Sequence, residues 1–209
     1  SLRNSGETVY TISRRKVNDD YHIKCDISDY KSVKEAYKHL NRLKNIKTKA
    51  IINCAGVASM NLAITTPPSV TNRVIETNLL GTIYTNQILV PLLMKSGGGK
   101  IINFSTIAVP IALKGESIYI ASKAGVEGFS KAFANEVSPF NITVNCIAPG
   151  PINTALLKGI SSEQISRILK RQIIKKQMGT KNVVNMVELL LSDKSKDLTG
   201  QVLHVGGVS

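Results

Sequence analysis

A tyrosine and a lysine four positions apart, Tyr119 and Lys123, are the residues of this chain best suited to acid–base chemistry. The surrounding sequence, to about Val137, predicts a helix, in which residues four apart are neighbours on one face. A phenol with a pKa of about 10 is a poor proton donor or acceptor near neutral pH. Because a fixed cation nearby favours the phenolate, the spacing predicts a proton-transfer pair in which Lys123 lowers the pKa of Tyr119. A surface helix with a solvated lysine is the alternative.

Four further motifs accompany this pair along the chain. Asn53-Cys54-Ala55-Gly56 and Pro149-Gly150-Pro151-Ile152-Asn153-Thr154 each follow a predicted strand, Ser105 follows another, and Asn78 lies in a predicted helix. In isolation Ser105 is typical of a turn serine and Asn78 of a polar helix residue. Their order around the tyrosine helix instead favours a shared site at the carboxyl end of parallel strands, where ligands of such sheets bind.

In these motifs and their order, nearly the whole chain resembles the classical short-chain dehydrogenase/reductase family, most closely the branch that includes the 3-oxoacyl-carrier-protein reductases. The resemblance implies that Tyr119 exchanges a proton with the substrate oxygen and that Lys123 lowers its pKa and binds the nicotinamide ribose. It also implies that Ser105 polarises the substrate carbonyl and that Asn78 completes a water-linked proton path to Lys123. The nicotinamide carries the hydride, and the protein supplies orientation and the proton.

The resemblance also implies a set of cofactor contacts. Asn53, Ala55 and Gly56 resemble the loop beside the adenine ribose, where small residues permit close backbone approach. Ile152 and Thr154 resemble the positions that hold the nicotinamide. The implied set comprises Asp26 and Ile27 at the adenine, with a simple turn as the alternative for Asp26, then Asn53, Ala55, Gly56, Tyr119, Lys123, Pro149, Gly150, Ile152 and Thr154.

Two arginines, Arg14 and Arg15, follow the predicted strand Thr8–Ile12. An acidic residue at this place accepts the ribose hydroxyls of NAD, whereas guanidinium groups suit the 2′-phosphate of NADP. The sequence therefore predicts a preference for NADP(H) over NAD(H). Solvated loop arginines are the alternative.

Hydrophobic periodicity predicts the elements that position these residues. The predicted strands are Thr8–Ile12, Tyr21–Cys25, Ala50–Ile52, Lys100–Phe104, Ile142–Cys146 and Val202–Val205, and the predicted helices are Tyr30–Leu43, a long region from Pro67 that Pro91 kinks or ends, and Tyr119 to about Val137. Such alternation over 209 residues predicts an α/β fold of one domain, a doubly wound, Rossmann-like parallel sheet.

The glycine-rich strand, turn and helix that open dinucleotide-binding folds are not among the predicted elements. Aligned on the resemblance, Leu2 to Gly6 correspond to the end of that first helix. The first strand is central in the family's sheet, so without it two neighbouring strands would have unpaired backbone groups. We therefore expect an incomplete domain whose native chain begins about 20 to 30 residues earlier, the size of a strand–turn–helix unit.

Composition favours a cytoplasmic protein without metal or disulfides. No apolar run has transmembrane length, and no signal peptide is evident. Cys25, Cys54 and Cys146 are scattered near predicted strands, as expected of small core residues. The formal net charge of +13 favours acidic partners. Nucleic acid is not expected, since aromatic residues are only 5% and do not interleave a basic patch.

The segment after Thr154 differs among family members with the substrate. Here it is basic, with Lys158, Arg167, Lys170, Arg171, Lys175, Lys176 and Lys181 beside Glu163. It predicts a mobile helical lid suited to an acidic acyl carrier or a phosphate-bearing substrate, with a solvated helix face as the alternative.

The leading hypothesis from the sequence is reduction of a 3-oxoacyl thioester. A sugar, a polyol or a secondary metabolite is the alternative substrate, and a non-catalytic binding or assembly subunit is the alternative of another class. The resemblance implies a homotetramer or dimer formed through the long helices around Asn78 and Tyr119.

Overall fold

The computed structural model describes residues 2–43, 46–154 and 162–208, and within them parallel strands are connected by helices. The strands are β1 (Thr11–Ser13), β2 (His22–Lys24), β3 (Ala50–Asn53), β4 (Gly99–Phe104), β5 (Ile142–Pro149) and β6 (Val202–Val205). Strands β3 to β6 form one four-stranded parallel sheet in that order, and β1 pairs with β2 in another. The predicted α/β class with parallel strands is confirmed. The first strand starts at Thr11, three residues later than predicted, where its ladder with β2 begins.

Among the described residues, β1 and β3 share no ladder, so the strands form two sheets where the sequence predicts one. One apolar cluster nevertheless joins them. Ile12 of β1 and Ile23 of β2 pack against a buried core that contains Ile51, Ile101 and Val144 of strands β3, β4 and β5. The expectation of a further strand and glycine-rich turn stays a prediction.

Seven α-helices lie in the described ranges. They are α1 (Tyr30–Arg42), α2 (Pro68–Ile75), α3 (Gly81–Lys95), α4 (Ala108–Ile111), α5 (Ser117–Val137), α6 (Ser162–Lys170) and α7 (Thr180–Leu191). Short 3₁₀ turns occur at Leu2–Ser5, Ala63–Thr65, Ser138–Phe140 and Asp193–Ser195. Helix α1 begins at a side-chain cap, since Asp29 accepts a hydrogen bond from the Lys31 N–H, and it buries Val33 and Ala36 as its periodicity predicts.

The long helical region passes from α2 through one π-helical turn, Glu76–Leu80, directly into α3. The expectation that Pro91 ends or kinks this region is corrected in one respect, because α3 continues past Pro91 to Lys95. A proline removes only one backbone hydrogen-bond donor, and the helical hydrogen bonds of the residues on either side of Pro91 continue the helix. The helix ends where Gly97 and Gly98 adopt positive φ angles of 87° and 131° and their N–H groups cap carbonyls of its last turn.

Helices cover both faces of the four-stranded sheet. Ile101 of β4 belongs to the cluster formed with α1, α3 and α5, whereas its neighbour Ile102 belongs to a second cluster formed with α7. Successive side chains of a strand point to opposite faces, so this division is the doubly wound arrangement that the sequence predicts.

Helix α5 approaches the π-helical turn closely at Gly125. A Cβ atom at this position would lie 2.9 Å from a methyl carbon of Leu79, closer than real Cβ contacts. Gly125 therefore sets how near the tyrosine helix lies to the turn that carries Asn78.

The three cysteines are free thiols. Cys25 and Cys146 are buried, as expected, but Cys54 is exposed in the loop after β3. No group of three or more potential metal ligands was found among the described residues. In the same residues, no helix combines the length and apolarity needed to cross a membrane.

Candidate active site

Helix α5 presents Tyr119 and Lys123 on one face, at the carboxyl end of β4. Both are buried, with 8% and 5% of their surfaces exposed. The Lys123 ammonium donates a hydrogen bond to the Phe104 carbonyl, with 2.8 Å between nitrogen and oxygen. A Cβ atom at Gly56 would lie 3.5 Å from Lys123 Nζ and 3.2 Å from Asn78 Oδ1. The structure therefore brings four of the predicted residues, Tyr119, Lys123, Gly56 and Asn78, to one place.

Asn78 is fully buried in the π-helical turn, where its amide makes three hydrogen bonds. Its Oδ1 accepts from the Val57 N–H at 2.8 Å, and its Nδ2 donates to the Val57 carbonyl at 2.9 Å and to Ser122 Oγ at 3.0 Å. Asn78 thus fastens the loop after Gly56 to helix α5. Its role in a proton path to Lys123 stays a prediction.

Ser105 and Thr106 directly follow β4, and their hydroxyls have different partners. The Ser105 hydroxyl, on a residue that is 4% exposed, donates to Glu127 Oε1 of α5 at 2.5 Å. The Thr106 side chain forms a hydrogen bond with Tyr119. In this structure the hydroxyl beside the tyrosine is therefore that of Thr106, and the predicted role of Ser105 in polarising the substrate carbonyl stays a prediction.

The alternation of side chains along β4 is a sequence signal that could have found this difference. Ser105 is two positions from Asn103, so the two share a face, and Asn103 donates to Ser130 of α5 at 2.8 Å. Ser105 therefore points to the body of the helix. Thr106 lies beyond the last residue of the strand, where the chain turns over the sheet edge toward Tyr119.

The pKa of Tyr119 is raised to about 12, opposite to the expected direction. Burial is the main cause, the nearby Glu116 carboxylate adds to it, and the hydrogen bond with Thr106 acts the other way. Burial lowers the pKa of Lys123 to about 8. The expected net lowering of the Tyr119 pKa is therefore not found, because burial disfavours both charged forms and outweighs the attraction of a neighbouring ammonium. The phenol keeps its proton at neutral pH.

Glu116, which the sequence reasoning did not single out, is a buried carboxyl group close to Tyr119. The residue is 6% exposed and immediately precedes helix α5. Burial raises the pKa of Glu116. Its charge acts on the phenol, so the protonation state of Glu116 influences that of Tyr119.

The side-chain amide of Asn53 forms its hydrogen bonds with other side chains of the protein. Its amide nitrogen donates to Asn103 Oδ1 at 2.8 Å and to Asn86 Oδ1 at 3.2 Å, and its Oδ1 accepts from Thr85 at 2.9 Å. The loop that follows is different, because Ala55 and Gly56 are exposed small residues. The Asn53 side chain therefore holds β3 to β4, and the cofactor contacts of Ala55 and Gly56 stay predictions.

Asp26 and Arg14 are neighbours at the carboxyl ends of β2 and β1. Burial raises the pKa of Asp26, but two hydrogen bonds from Ser28 and the positive charge of Arg14 outweigh it and lower the pKa overall. Arg14 and Arg15 are exposed. The Ile27 side chain packs on Gly81 of α3, where a Cβ atom would lie 2.8 Å from Ile27 Cδ1. Its backbone is therefore what the predicted adenine contact would use.

The run from Pro149 to Thr154 follows β5 at the same sheet edge. The Pro149 carbonyl accepts from the Ile107 N–H at 3.1 Å, which joins this run to the loop after Thr106. Gly150 is buried, Ile152 pairs with Met178 in a single β-bridge, and Thr154 is exposed.

The predicted basic lid falls partly outside the described residues, Lys158 included. In the described part, Arg167 pairs with Glu163 at 2.6 Å on the exposed surface of α6. Arg171 donates to the Ile111 carbonyl at 2.7 Å, which ties the end of α6 to α4. The helical part of the prediction is therefore confirmed for Ser162–Lys170.

The chain is similar to known proteins over most of its length. A family model described as Enoyl-(Acyl carrier protein) reductase matches residues 3–209. The 3-oxoacyl-[acyl-carrier-protein] reductase FabG of Staphylococcus epidermidis is 30% identical over 206 residues, which are 98% of this chain and 84% of the relative. FabG of Escherichia coli is 34% identical over 157 residues, which are 75% of this chain and 64% of the relative, less than two thirds of its length.

Two solved structures share the fold and a quarter of the sequence. The aldohexose dehydrogenase of Thermoplasma acidophilum superposes with a TM-score of 0.85 at 25% identity, over 99% of this chain and 86% of that one. A short-chain type dehydrogenase/reductase from Mycobacterium ulcerans superposes with a TM-score of 0.81 at 25% identity, over 88% of this chain and 68% of that one.

Proposed function

The chain belongs to the short-chain dehydrogenase/reductase family, and we propose that it transfers a hydride between NADP(H) and a carbonyl or secondary alcohol. The observation that carries this proposal is the contact between the buried Tyr119 phenol and the side chain of half-buried Thr106, near Lys123. A protonated phenol and a second hydroxyl at one point suit a carbonyl oxygen, which needs a proton and a hydrogen-bond donor.

The residues present fit a nicotinamide dinucleotide at the carboxyl edge of the strands. Gly56 leaves free space beside Lys123 and Asn78, since a Cβ there would lie 3.2 Å from Asn78 Oδ1, closer than most real Cβ contacts. Lys123 and Thr154 would hold the nicotinamide half, and Ala55, Asp26 and the Ile27 backbone the adenosine half. When bound, the nicotinamide supplies or accepts the hydride.

In the reduction, Tyr119 acts as the general acid. Its raised pKa keeps the hydroxyl protonated at neutral pH, so the proton is available to the substrate oxygen. Thr106 takes the role that the resemblance assigned to Ser105 and donates a hydrogen bond to the same oxygen. Lys123 stabilises the phenolate that forms, because its ammonium lies one helical turn away.

The preference for NADP(H) rests on Arg14 and Arg15. Both are exposed at the end of β1, and Arg14 is close enough to Asp26 to lower its pKa. Guanidinium groups there would bind the 2′-phosphate.

A 3-oxoacyl thioester is the substrate that we propose first, because the FabG relatives at 30% and 34% identity are 3-oxoacyl-carrier-protein reductases. The basic residues of the α6 region would suit an acidic carrier. A sugar is the second candidate, favoured by the likeness to an aldohexose dehydrogenase at a TM-score of 0.85.

We propose a cytoplasmic homo-oligomer formed through α3 and α5. A groove of about 430 Å³ lies between these helices. Its lining includes the exposed apolar side chains of Met94, Phe140 and Tyr30. Burying such a surface against a second copy would be favourable.

The test combines cofactor binding with turnover. Thermal unfolding of the protein is measured with NADPH, with NADH and with neither, and NADPH oxidation is followed with a 3-oxoacyl thioester and with an aldohexose. We expect a larger stabilisation by NADPH and a thioester-dependent rate that Tyr119→Phe abolishes. No stabilisation by either cofactor and no turnover would instead support the non-catalytic binding subunit.

A further inference from the structure

One stripe of helix α5 holds the end of β4 at three consecutive residues. Lys123 binds the Phe104 carbonyl at 2.8 Å, and Tyr119 forms a hydrogen bond with the Thr106 side chain. Glu127, one turn beyond Lys123, accepts from the Ser105 hydroxyl at 2.5 Å. The first two contacts belong to the proposed chemistry, whereas the third involves a carboxylate for which that chemistry has no use.

We propose that Glu127 is a positioning residue, which fixes Ser105 so that the next residue, Thr106, presents its hydroxyl to Tyr119. The inference rests on the proposed function, because the hydroxyl that Glu127 positions is the one that would bind the substrate oxygen.

The backbone at Ser105 is held from two sides. Its N–H donates to the Ile147 carbonyl of β5 at 2.8 Å, and its side chain is fixed by Glu127 of α5. The planar peptide bond between Ser105 and Thr106 leaves few rotatable bonds between them, so fixing Ser105 restricts the orientation of Thr106. A Ser105 side chain without a partner in α5 would allow the strand end to rotate.

The direction of the hydrogen bonds also matters. A carboxylate has no proton to give, so Ser105 can act only as the donor to Glu127. Thr106 Oγ1 accepts from the Ala108 N–H at 3.2 Å. This bond occupies one lone pair of Thr106 Oγ1 and leaves its proton and its second lone pair for Tyr119 or a substrate oxygen.

The first test compares Glu127→Leu with Glu127→Gln. Glutamine keeps an oxygen that can accept from Ser105, whereas leucine keeps only the size of the side chain. We expect Glu127→Leu to lower kcat for carbonyl reduction by about tenfold to a hundredfold, the usual cost of a small misplacement, with an unchanged Kd for NADPH. The kcat of Glu127→Gln should stay within about threefold of that of the unchanged protein, because the amide oxygen still accepts from Ser105 and the hydrogen bond is only weakened.

Glu188, an exposed glutamate of α7, provides the matched control. Glu188→Leu and Glu188→Gln should leave kcat at the level of the unchanged protein. Equal kcat values for Glu127→Leu and Glu188→Leu would overturn the proposal. So would a Glu127→Gln variant as slow as Glu127→Leu.

A double-mutant comparison tests whether Glu127 acts through Ser105. Ser105→Ala should lower kcat as Glu127→Leu does, and the double variant should lose no more than either single one. Losses that multiply would show that Glu127 acts independently of Ser105 and would overturn the proposal. If Glu127→Leu does not fold, Ser105→Ala combined with Glu127→Gln serves for the same comparison.

A readout that needs no turnover separates this inference from the proposed function. The ¹³Cζ resonance of Tyr119, assigned by its loss in Tyr119→Phe, reports the hydrogen bond that the phenol makes with Thr106. It should shift in Glu127→Leu and Ser105→Ala but not in Glu188→Leu. That shift in a protein that reduces no carbonyl would support the positioning and defeat the proposed function. An unmoved resonance in an active enzyme would do the reverse.

Discussion

The side-chain amide of Asn78 binds both backbone polar groups of Val57. Asn78 Oδ1 lies 2.8 Å from the Val57 nitrogen, and Asn78 Nδ2 lies 2.9 Å from the Val57 carbonyl oxygen. A side-chain amide can satisfy a donor and an acceptor together only when it lies flat against the peptide edge, as in a sheet ladder. The π-helical turn of Glu76–Leu80 positions this amide. One residue thereby connects the glycine loop after β3, the long helix and, through Ser122, the tyrosine helix.

Replacing Asn78 by alanine should loosen that loop and destabilise the protein. The change leaves the polar groups of Val57 without partners, which costs about 1 to 3 kcal/mol for each group that stays buried. Urea unfolding should show this loss, and the Kd for NADPH should rise with it. The exposed Asn72 of α2 is the matched control, and Asn72→Ala should change neither quantity. An unchanged Kd in Asn78→Ala would show that the loop keeps its shape without the amide.

Thr106 should prove necessary for turnover. Thr106→Val removes the hydroxyl and keeps the branched shape, so kcat should fall by about 10² to 10³, as for loss of one preorganised donor to a developing oxyanion. Thr106→Ser retains the hydroxyl and should keep most of the activity. The measurement is steady-state reduction with saturating NADPH. Full activity of Thr106→Val would show that a group other than Thr106 donates the hydrogen bond to the substrate carbonyl.

The two directions of the reaction should respond differently to pH. With a pKa of about 12, Tyr119 is protonated over the whole range in which the protein is handled, so ionisation of Tyr119 should not reduce the rate of carbonyl reduction between pH 6 and about 9. Alcohol oxidation needs the phenolate and should accelerate as pH rises, by up to about tenfold per unit. Initial rates in both directions over this range provide the check. A pH-independent oxidation rate would contradict the raised pKa of Tyr119.

Lys123 should destabilise the folded protein in a pH-dependent way. Burial lowers its pKa from 10.5 to about 8, so between these values the unfolded chain carries a proton that the folded chain has lost. Stability therefore rises with pH across this window, and below about pH 8 the cost of burying the charge is constant. Relative to Lys123→Met, the unchanged protein should gain on the order of 2 to 3 kcal/mol from pH 7.5 to 10. The free energy of unfolding of both proteins is measured in urea at each pH. Equal changes with pH in the two proteins would contradict the lowered pKa of Lys123.

Arg14 should contribute to cofactor choice. Arg14→Ala removes a charge-assisted hydrogen bond to the 2′-phosphate and should raise the KM for NADPH by about tenfold to a hundredfold, with little effect on NADH. Arg14→Lys keeps the positive charge but loses the forked shape of the guanidinium group. Its KM for NADPH should lie between those of the unchanged protein and Arg14→Ala. The same KM increase for both cofactors would indicate a general loss of structure near Asp26 instead.

The order of the motifs, read through the family resemblance, predicted four residues that the structure brings together, Tyr119, Lys123, Asn78 and Gly56. Gly56 follows a strand, whose carboxyl end lies at the ligand-binding edge of such sheets, whereas the other three lie on helices packed beside that edge. The helix α1 was predictable to within one residue, since its apolar period and its cap are both local signals.

The choice between Ser105 and Thr106 was not settled by the residues themselves, because two adjacent hydroxyls look alike without the position of α5. The pKa of Tyr119 was mispredicted for a related reason. A spacing of four residues reveals the neighbouring cation but not the burial, which here is the larger influence. Burial depends on which elements of the fold pack around Tyr119, and no short pattern encodes that.

Gly125 lies midway between Lys123 and Glu127, at the point where α5 meets Leu79. A methyl group added there would push α5 away from Leu79. That displacement would lengthen the contact between the Lys123 ammonium and the Phe104 carbonyl on one side of Gly125, and the contact between the Glu127 carboxylate and Ser105 on the other. The alignment of acid, cation and strand end thus depends on a missing side chain, at a position that itself touches none of them.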